Sequence, residues 1–324
     1  MIYGYATKSW QVVKGCNKDL PCAVRCWAKR ECHRMAWHPN RKISDFHAGL
    51  TTSLGNWTGT VRLNEAHLTD PHHWRKPEVI AAAYHGDLFL APDEVLAKVF
   101  AVMALCPQHT FLLLTKRPER MREWSADNRT PFRVQKQMDV TSQILNIIHG
   151  RHWKGTGLQW PLSNVFAGVS LTNQPDADER MGHLRKFAAM GWNTWISLEP
   201  MIAPVSFRWA NSEPLKGPRQ TTNHLDGLRW PKQVVLGGES GPGARPFDFA
   251  WARSVIEQCR AARVPCFVKQ MGSAPYSLAD RITHRGCKLP ISEVFWRHLS
   301  DSHGADPLEW PAALRVRELA WGRK

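Results

Sequence analysis

The sequence predicts an α/β protein with parallel strands, and three observations support this prediction. Short apolar runs rich in β-branched and aromatic residues recur along the chain, amphipathic stretches of helical length lie between them, and a polar or glycine-containing motif follows each run. Alternation of strand and helix, repeated six times, is typical of a parallel sheet with right-handed crossovers. The spacing alone is compatible with an open sheet and with a barrel.

Six segments are candidate strands. Each is short and apolar on both faces, as expected of a buried parallel strand. They are Val79–Tyr84, Thr110–Leu114, Val165–Val169, Thr194–Leu198, Gln233–Leu236 and Pro265–Val268.

Four amphipathic segments between these strands are candidate helices. They are Pro92–Leu105, Thr141–His149, Ala177–Met190 and Phe249–Ala262. The first has apolar residues at helical spacing, which predicts one buried face. In the third, Asp178 and Glu179 are predicted in the first turn, where carboxylates suit the helix dipole.

The length of 324 residues allows one large domain or two ordinary ones. We assign residues 1–289 to the main domain and residues 290–324, with a weak helix at Ser292–Leu299, to a C-terminal extension packed on it. Two segments interrupt the strand–helix alternation and are interpreted as insertions, namely residues 44–74 and 206–230. The second has polar residues and no periodicity, so it is predicted to be a surface loop.

The net charge indicates a class of partner. The chain has 43 Lys and Arg against 28 Asp and Glu, so 43 − 28 gives +15, and the isoelectric point is about 9.7. This excess favours a polyanion such as nucleic acid, for which 16 tryptophans offer stacking surfaces. The alternative is a basic protein without such a partner. No run of about 18 apolar residues occurs, and no secretory signal precedes the first motif, so we expect a cytoplasmic protein without a membrane partner.

Polar motifs follow all six candidate strands, and in parallel α/β folds ligands bind at these strand ends. The motifs begin at Tyr84, Thr115, Ser170, Glu199, Gly237 and Lys269. The most glycine-rich of them, Gly237–Gly243, lacks the Walker pattern and the dinucleotide fingerprint. Its adjacent glycines are compatible with a nucleotide-like ligand close to the backbone, or with a tight turn alone.

Four of the eight cysteines fall within 17 residues, at Cys16, Cys22, Cys26 and Cys32. The first three form a C-x5-C-x3-C pattern in the segment 15–28, and three thiolates can ligate three irons of a [4Fe–4S] cluster. A zinc site with Cys32 or His33 as fourth ligand is the alternative, although zinc knuckles usually pair their ligands as C-x2-C. Catalytic thiol chemistry is a third interpretation.

The segment Trp10–Ala28 resembles the start of a bacteriophage-associated three-cysteine family of the radical SAM superfamily, which is distantly similar to spore photoproduct lyase. The blocks Leu114–Met121 and Gly237–Pro246 are specific to that family, and the resemblance continues to the tail. It implies a partial (β/α)6-type barrel, a [4Fe–4S] cluster on Cys16, Cys22 and Cys26, and S-adenosylmethionine at the open iron. The sequence departs from the usual superfamily spacing of C-x3-C-x2-C, and Arg25 stands where an aromatic residue commonly precedes the third cysteine.

The resemblance also implies roles for the strand-end residues. Those expected to bind S-adenosylmethionine are Asp87, Ser170, Asn173, Gly237, Gly238 and Glu239. Within this set, Asp87 is assigned to the methionine ammonium and the two glycines to the adenine. Those expected in catalysis or substrate binding are Lys116, Glu199 and Lys269, with Arg117 and Gln270 beside them. For Arg117 and Arg120 a solvated helix start is an equal alternative.

Three functions follow as hypotheses. The first is a radical SAM isomerase or lyase acting on a modified base, such as a hypermodified thymidine of phage DNA, in the host cytoplasm. It would act as a monomer with an external electron donor such as flavodoxin. The second is the same chemistry on a small molecule or protein. The third is a zinc-containing nucleic-acid-binding protein without catalysis.

Overall fold

The computed structural model describes residues 4–17, 22, 25–149, 157–207, 223–225, 230–277 and 299–321. Its strands are β1 Lys8–Trp10, β2 Val13–Lys14, β3 Arg62–Leu63, β4 Val79–Ala82, β5 Thr110–Thr115, β6 Val165–Leu171, β7 Asn193–Leu198, β8 Gln233–Leu236, β9 Phe247–Asp248, β10 Cys266–Val268 and β11 Pro275–Tyr276. Its α-helices are α1 Trp27–Met35, α2 Arg41–His47, α3 Asp70–His73, α4 Asp93–Leu105, α5 Pro118–Ala126, α6 Thr130–His149, α7 Gln174–Ala189 and α8 Phe249–Ala262.

Seven strands form the main sheet in the order β1-β4-β5-β6-β7-β8-β10. The pairs β1–β4, β4–β5, β7–β8 and β8–β10 are parallel. Neighbours follow chain order without the reversal of a doubly wound sheet. The mixed α/β class and the parallel sheet are therefore confirmed, with a strand order consistent with a partial barrel. All six predicted strands exist, and the sequence missed β1, which has only three residues.

The described residues divide into two compact units, 6–167 and 4–5 with 168–321. In the first unit, β1, β4 and β5 align with Lys8 opposite Ile80 and Ile80 opposite Phe111. Helix α4 packs on α6 and is buried on most of its circumference after the first turn, a wider apolar surface than the single face predicted. Burial on this scale is what anchors an apolar helix in a core.

Two helix boundaries differ from the prediction. Helix α6 begins at Thr130, eleven residues before the predicted start, and is preceded by the separate helix α5. Helix α7 begins at Gln174, because the Asn173 side chain accepts a hydrogen bond from the Asp176 N–H and caps it. Asp176, and not the predicted pair Asp178 and Glu179, is therefore the carboxylate of the first turn.

In the second unit, β7, β8 and β10 align with Trp195 opposite Gln233 and Val234 opposite Cys266. The described part of the tail, residues 299–321, packs on this unit. The Glu318 N–H donates to the Cys266 carbonyl at 2.9 Å, and the Val268 N–H donates to the Val316 carbonyl at 2.8 Å. These bonds cover the β10 edge of the sheet, which would otherwise offer unpaired backbone groups.

The two predicted insertions have different outcomes. Residues 44–74 contain α2, β3 and α3, and β3 pairs antiparallel with β2. Most of residues 206–230, and the predicted helix Ser292–Leu299 apart from its last residue, lie outside the described residues. Of the described positions in 206–230, Phe207, His224, Leu225 and Trp230 are buried, so they are not part of a surface loop. No helix in the described part of the chain has the length and apolar character needed to cross a bilayer.

Candidate functional site

The cysteine segment begins where the chain pairs with the residues that follow β4. Gly15 and Gly86 form a parallel bridge, and Gly15 has a φ of +101°. A Cβ on Gly15 would lie 2.0 Å from the Thr60 carbonyl oxygen, so only glycine fits there. The bridge between Gly15 and Gly86 places Cys16, the next residue, beside the strand end that carries Asp87.

Cys16, Cys22 and Cys26 are free thiols and are partly buried. The pKa of Cys16 is raised to about 11, first by burial and then by Asp87, with smaller contributions from Cys26 and Cys22, whereas Arg117 lowers it. Cys26 is the N-cap of α1, and its side chain makes no capping hydrogen bond. Cys22 and Cys26 are therefore close enough to Cys16 to raise its pKa, and Cys26 is at the start of α1.

Cys32 and His33 have other partners. Cys32 is fully buried in an apolar cluster with Ala28, Leu50 and Trp57. The His33 Nδ1 lies 3.1 Å from the Thr51 hydroxyl. Cys16 and Cys26 pack against the same apolar cluster, and the zinc alternative stays a prediction.

The donor set fits an iron–sulfur cluster in its chemistry, because three partly accessible thiols are available, while the neighbouring Cys32 is fully buried. Within the described ranges, no group of three or more His, Cys, Asp or Glu side chains lies close enough to hold a metal ion. The connecting residues 18–21 and 23–24 lie outside those ranges.

Asp87 is the centre of a hydrogen-bond network beside Cys16. Its buried carboxylate accepts from the Thr115 hydroxyl at 2.7 Å, the Lys116 N–H at 3.0 Å and the Phe89 N–H at 3.1 Å. It also forms an ion pair with Arg117 at 2.8 Å, and Arg117 is only 16% exposed. The carboxylate assigned from the sequence to an ammonium is thus bound by four protein donors. Arg117 is not a solvated helix residue.

Sequence reasoning missed a group of basic side chains near this network, namely the buried His47 and the partly buried Lys14 and His85. The Lys14 Nζ lies 2.8 Å from His47 Nε2, and His47 Nδ1 donates to the Ile43 carbonyl, so Nε2 is the acceptor. His85 lies edge-on to Trp27 with ring centroids 4.9 Å apart. Burial, and after it Lys14, lowers the pKa of His85 to about 4. The run Tyr84–Asp87 at the end of β4 was a signal for His85, but it was used only for Asp87.

In the second unit, two of the three predicted catalytic residues, Glu199 and Lys269, form an ion pair. The Lys269 Nζ lies 2.9 Å from Glu199 Oε1, and the Ser197 hydroxyl donates to Oε2 at 3.0 Å. The side chains are 23% and 13% exposed. Glu199 directly follows β7 and Lys269 directly follows β10, so a mostly buried ion pair links the two strand ends.

The predicted cofactor residues of the second unit also have partners. The Glu239 carboxylate accepts two hydrogen bonds from the Arg245 guanidinium, from Nε at 2.7 Å and from Nη2 at 3.0 Å. A Cβ on Gly238 would lie 2.2 Å from the Met271 carbonyl oxygen, and one on Gly237 would lie 3.1 Å from the Gln270 oxygen.

Gly238 is therefore required for the close approach of backbone after β8 and β10, whereas a side chain at Gly237 would make a tight contact. The Gln270 amide adds a hydrogen bond to the Gly238 carbonyl at 2.9 Å. Ser170 is buried and its carbonyl accepts from Arg180, while Asn173 caps α7.

The described residues form a mixed α/β structure with a parallel sheet, and Cys16 lies beside the end of β4. The chain belongs to DUF5131, a family of proteins of unknown function, whose sequence model matches residues 3–290. The match ends where the C-terminal extension was predicted to begin. No curated protein and no solved structure matches the chain. The radical SAM resemblance stays a prediction.

Proposed function

We propose that this protein is a radical SAM enzyme that holds a [4Fe–4S] cluster on Cys16, Cys22 and Cys26. The observation that carries the proposal is the contrast among neighbouring cysteines. These three are free and partly accessible beside the end of β4, whereas Cys32 is fully buried in an apolar cluster. When bound, the cluster would supply the one-electron reduction of S-adenosylmethionine that leads to hydrogen-atom removal from a substrate.

Charge around the thiols acts in two directions. The open N-terminus of α1 at Cys26 favours negative charge. At Cys16, burial and Asp87 raise the pKa of the thiol to about 11, and Arg117 opposes them only in part. Cluster binding at Cys16 would therefore have to displace a proton from the thiol. The bonds at Asp87 favour a positioning role for this carboxylate over direct binding of the methionine ammonium.

For the second unit, we retain Ser170, Glu199, Gly238 and Lys269 as proposed cofactor or substrate residues. Their partners within the protein mean that a ligand would have to exchange with existing hydrogen bonds. The side chains of Gln270 and Glu239 also have partners within the protein, so a ligand would have to exchange with those hydrogen bonds as well.

We further propose that the substrate is a base within a nucleic acid, such as a hypermodified thymidine of phage DNA, with an external electron donor such as flavodoxin. The net charge of +15 supports a polyanionic substrate. Tryptophan supports it less than the sequence suggested, because at least five of the sixteen are fully buried: Trp10, Trp57, Trp124, Trp195 and Trp310. A small-molecule or protein substrate is the alternative.

The test is anaerobic reconstitution with iron and sulfide, followed by measurement of bound iron, visible absorption and 5′-deoxyadenosine. We expect Cys16→Ala, Cys22→Ala and Cys26→Ala each to lose the cluster. Cys32→Ala and Cys106→Ala, both at buried thiols, are the matched controls and should retain it. Stoichiometric zinc in place of iron, or loss of iron in Cys32→Ala alone, would overturn the proposal. DNA that raises 5′-deoxyadenosine production would support the nucleic-acid substrate.

A further inference from the structure

The first predicted insertion contains a short hairpin with a fully formed turn. Thr51 and Trp57 form an antiparallel bridge, and the Thr52 N–H donates to the Asn56 carbonyl at 2.7 Å. The Gly55 N–H closes the turn on the Thr52 carbonyl at 2.9 Å, with a φ of +72° at Gly55. A type I turn followed by a left-handed glycine is a common way to close a three-residue hairpin.

The base of this hairpin is anchored to helix α1. Leu50 and Trp57 are buried together with Ala28 and Cys32, and Cys16 and Cys26 pack against the same cluster. On the flank, the Lys29 Nζ donates to the Asn56 side chain at 3.2 Å. The hairpin and two of the three site cysteines therefore share one small apolar core.

The apex of the hairpin is apolar and exposed. Leu54 lies between Ser53 and Gly55 and is 86% exposed, more than the other exposed large apolar side chains of the described chain. A single exposed leucine is ordinary on a protein surface. Leu54 is unusual because it lies at the tip of a hairpin whose base is buried in the apolar cluster that Cys16 and Cys26 contact.

The surface next to the hairpin is basic. Residues 25–60 contain six Lys and Arg against two Asp and Glu. On α1, α2 and the turn between them, Arg30, Arg41 and Lys42 are exposed, and Trp37 is 76% exposed. Basic side chains of this kind bind phosphates, and apolar wedges of proteins that act on duplexes enter between base steps.

We propose that the hairpin Thr51–Trp57 inserts Leu54 into a nucleic-acid duplex beside the base to be modified, while α1 and α2 bind the flanking phosphates. This inference rests on the proposed nucleic-acid substrate. An enzyme that acts on a base inside a duplex must take that base out of the stack, which leaves a gap between its neighbours. Leu54 has the apolar character to fill that gap, and the turn that carries it is held to the cysteine-bearing core.

The experiment uses the full-length protein and a DNA duplex that contains 2-aminopurine next to a mismatched pair, because a mismatch lowers the energy of base opening. Fluorescence of 2-aminopurine rises when the base leaves the stack. We expect wild type to raise it on binding, and Leu54→Ala to bind with little change in affinity but without the rise. Leu308→Ala is the matched control, since Leu308 is 79% exposed on a turn in the tail.

The phosphate-binding part is tested by salt titration. If Arg41 and Lys42 each contact a phosphate, Arg41→Ala/Lys42→Ala should flatten the dependence of log K on log salt by about 1.8. Arg260→Ala, an exposed arginine on α8, is the control for general charge and should leave the slope close to that of wild type.

The outcomes separate this proposal from the proposed function, because neither measurement needs iron or S-adenosylmethionine. A fluorescence rise that Leu54→Ala retains, or binding by wild type without any rise, would overturn the wedge while leaving the cluster in place. A rise that depends on Leu54 in a protein that fails to bind iron would support the wedge and remove the radical chemistry. Absence of DNA binding would reject the wedge and the nucleic-acid substrate together.

Discussion

The strand-end residues of the second unit and the cysteine region of the first unit differ in how far their polar groups are already paired. In the second unit, Glu199 is bound by Lys269 and Ser197, and Glu239 is bound by Arg245. In the first unit, Cys16, Cys22 and Cys26 are free thiols with partial access to solvent. The sequence pointed to both regions, through the cysteine spacing in the first unit and the polar strand-end motifs in the second.

The difference teaches that a polar strand end is a weak indicator of a ligand site until its partners are known. A carboxylate followed by a cation on a neighbouring strand satisfies both groups without a ligand. Thiols do not satisfy one another in this way when they lie side by side. The predictions below test whether the second unit's residues are structural while the cysteines are functional.

The largest effect is expected at the ion pair of the second unit. Lys269→Met leaves the Glu199 carboxylate mostly buried without its cation, which should lower the free energy of unfolding by about 3 kcal/mol. Urea denaturation measures this, and Glu199→Gln/Lys269→Met should recover much of the loss. Lys98→Met breaks the more exposed Lys98–Glu65 pair and should lower stability by less than about 1 kcal/mol. A Lys269→Met protein as stable as wild type, but inactive, would instead indicate a ligand-binding lysine.

Gly238→Ala should act through the backbone. The added Cβ would meet the Met271 carbonyl oxygen at 2.2 Å, and such overpacking should reduce the free energy of unfolding by about 2 to 3 kcal/mol. Gly157→Ala, where a Cβ meets nothing within 4 Å, should change stability by about 0.5 kcal/mol or less. If Gly238→Ala were as stable as wild type and only lost affinity for S-adenosylmethionine, the glycine would belong to the adenine site.

The partly buried His85 of the first unit predicts a pH dependence. Burial lowers the pKa of His85 to about 4, so between that value and its ordinary pKa of about 6.5 the unfolded chain binds a proton that the native protein does not. Stability should therefore fall as pH decreases through this window, by about 2 kcal/mol between roughly pH 7.5 and pH 5 from this group. His85→Gln should remove that part of the decrease, measured by urea denaturation at both pH values. Identical pH dependence in the two proteins would show that His85 titrates normally.

How much the sequence predicted follows from the range of each interaction. Helix α8 and strand β8 were predicted with correct bounds because their apolar patterns are complete within the segment. Strand β1 was missed because its three residues become a strand through pairing with β4, some 70 positions away. Helix α6 was begun too late, although Pro131 in its first turn was a start signal.

Interaction range also limited what the sequence could predict at the candidate site. The cysteine spacing lies within eleven residues, so the sequence could single out the three thiols. The partners of Asp87 and Glu199 lie 30 and 70 positions away, at Arg117 and Lys269, and no local pattern joins them. The neighbouring order of β4 and β5 would have suggested the first pair, because parallel strands end at the same edge.

The smallest effect sharpens the comparison most, because stability and function should change in opposite directions. Cys26 is the N-cap of α1 and makes no capping hydrogen bond, whereas serine is a preferred N-cap whose hydroxyl can accept from the backbone N–H groups of the first turn. In iron-free protein, Cys26→Ser should therefore raise the free energy of unfolding by about 0.5 to 1 kcal/mol. It should also abolish iron binding, since a hydroxyl does not replace the thiolate.

The same substitution at Cys32 provides the control. Cys32→Ser places a hydroxyl in the apolar cluster with Leu50 and Trp57, which should lower stability by about 1 to 3 kcal/mol and leave iron binding intact. Opposite signs in the two variants would show that the cysteine at the helix start is retained for binding at the expense of a better cap. If Cys26→Ser instead lowered stability as Cys32→Ser does, Cys26 would be a structural residue. The cysteines of the first unit would then not differ in kind from the paired strand-end residues of the second unit.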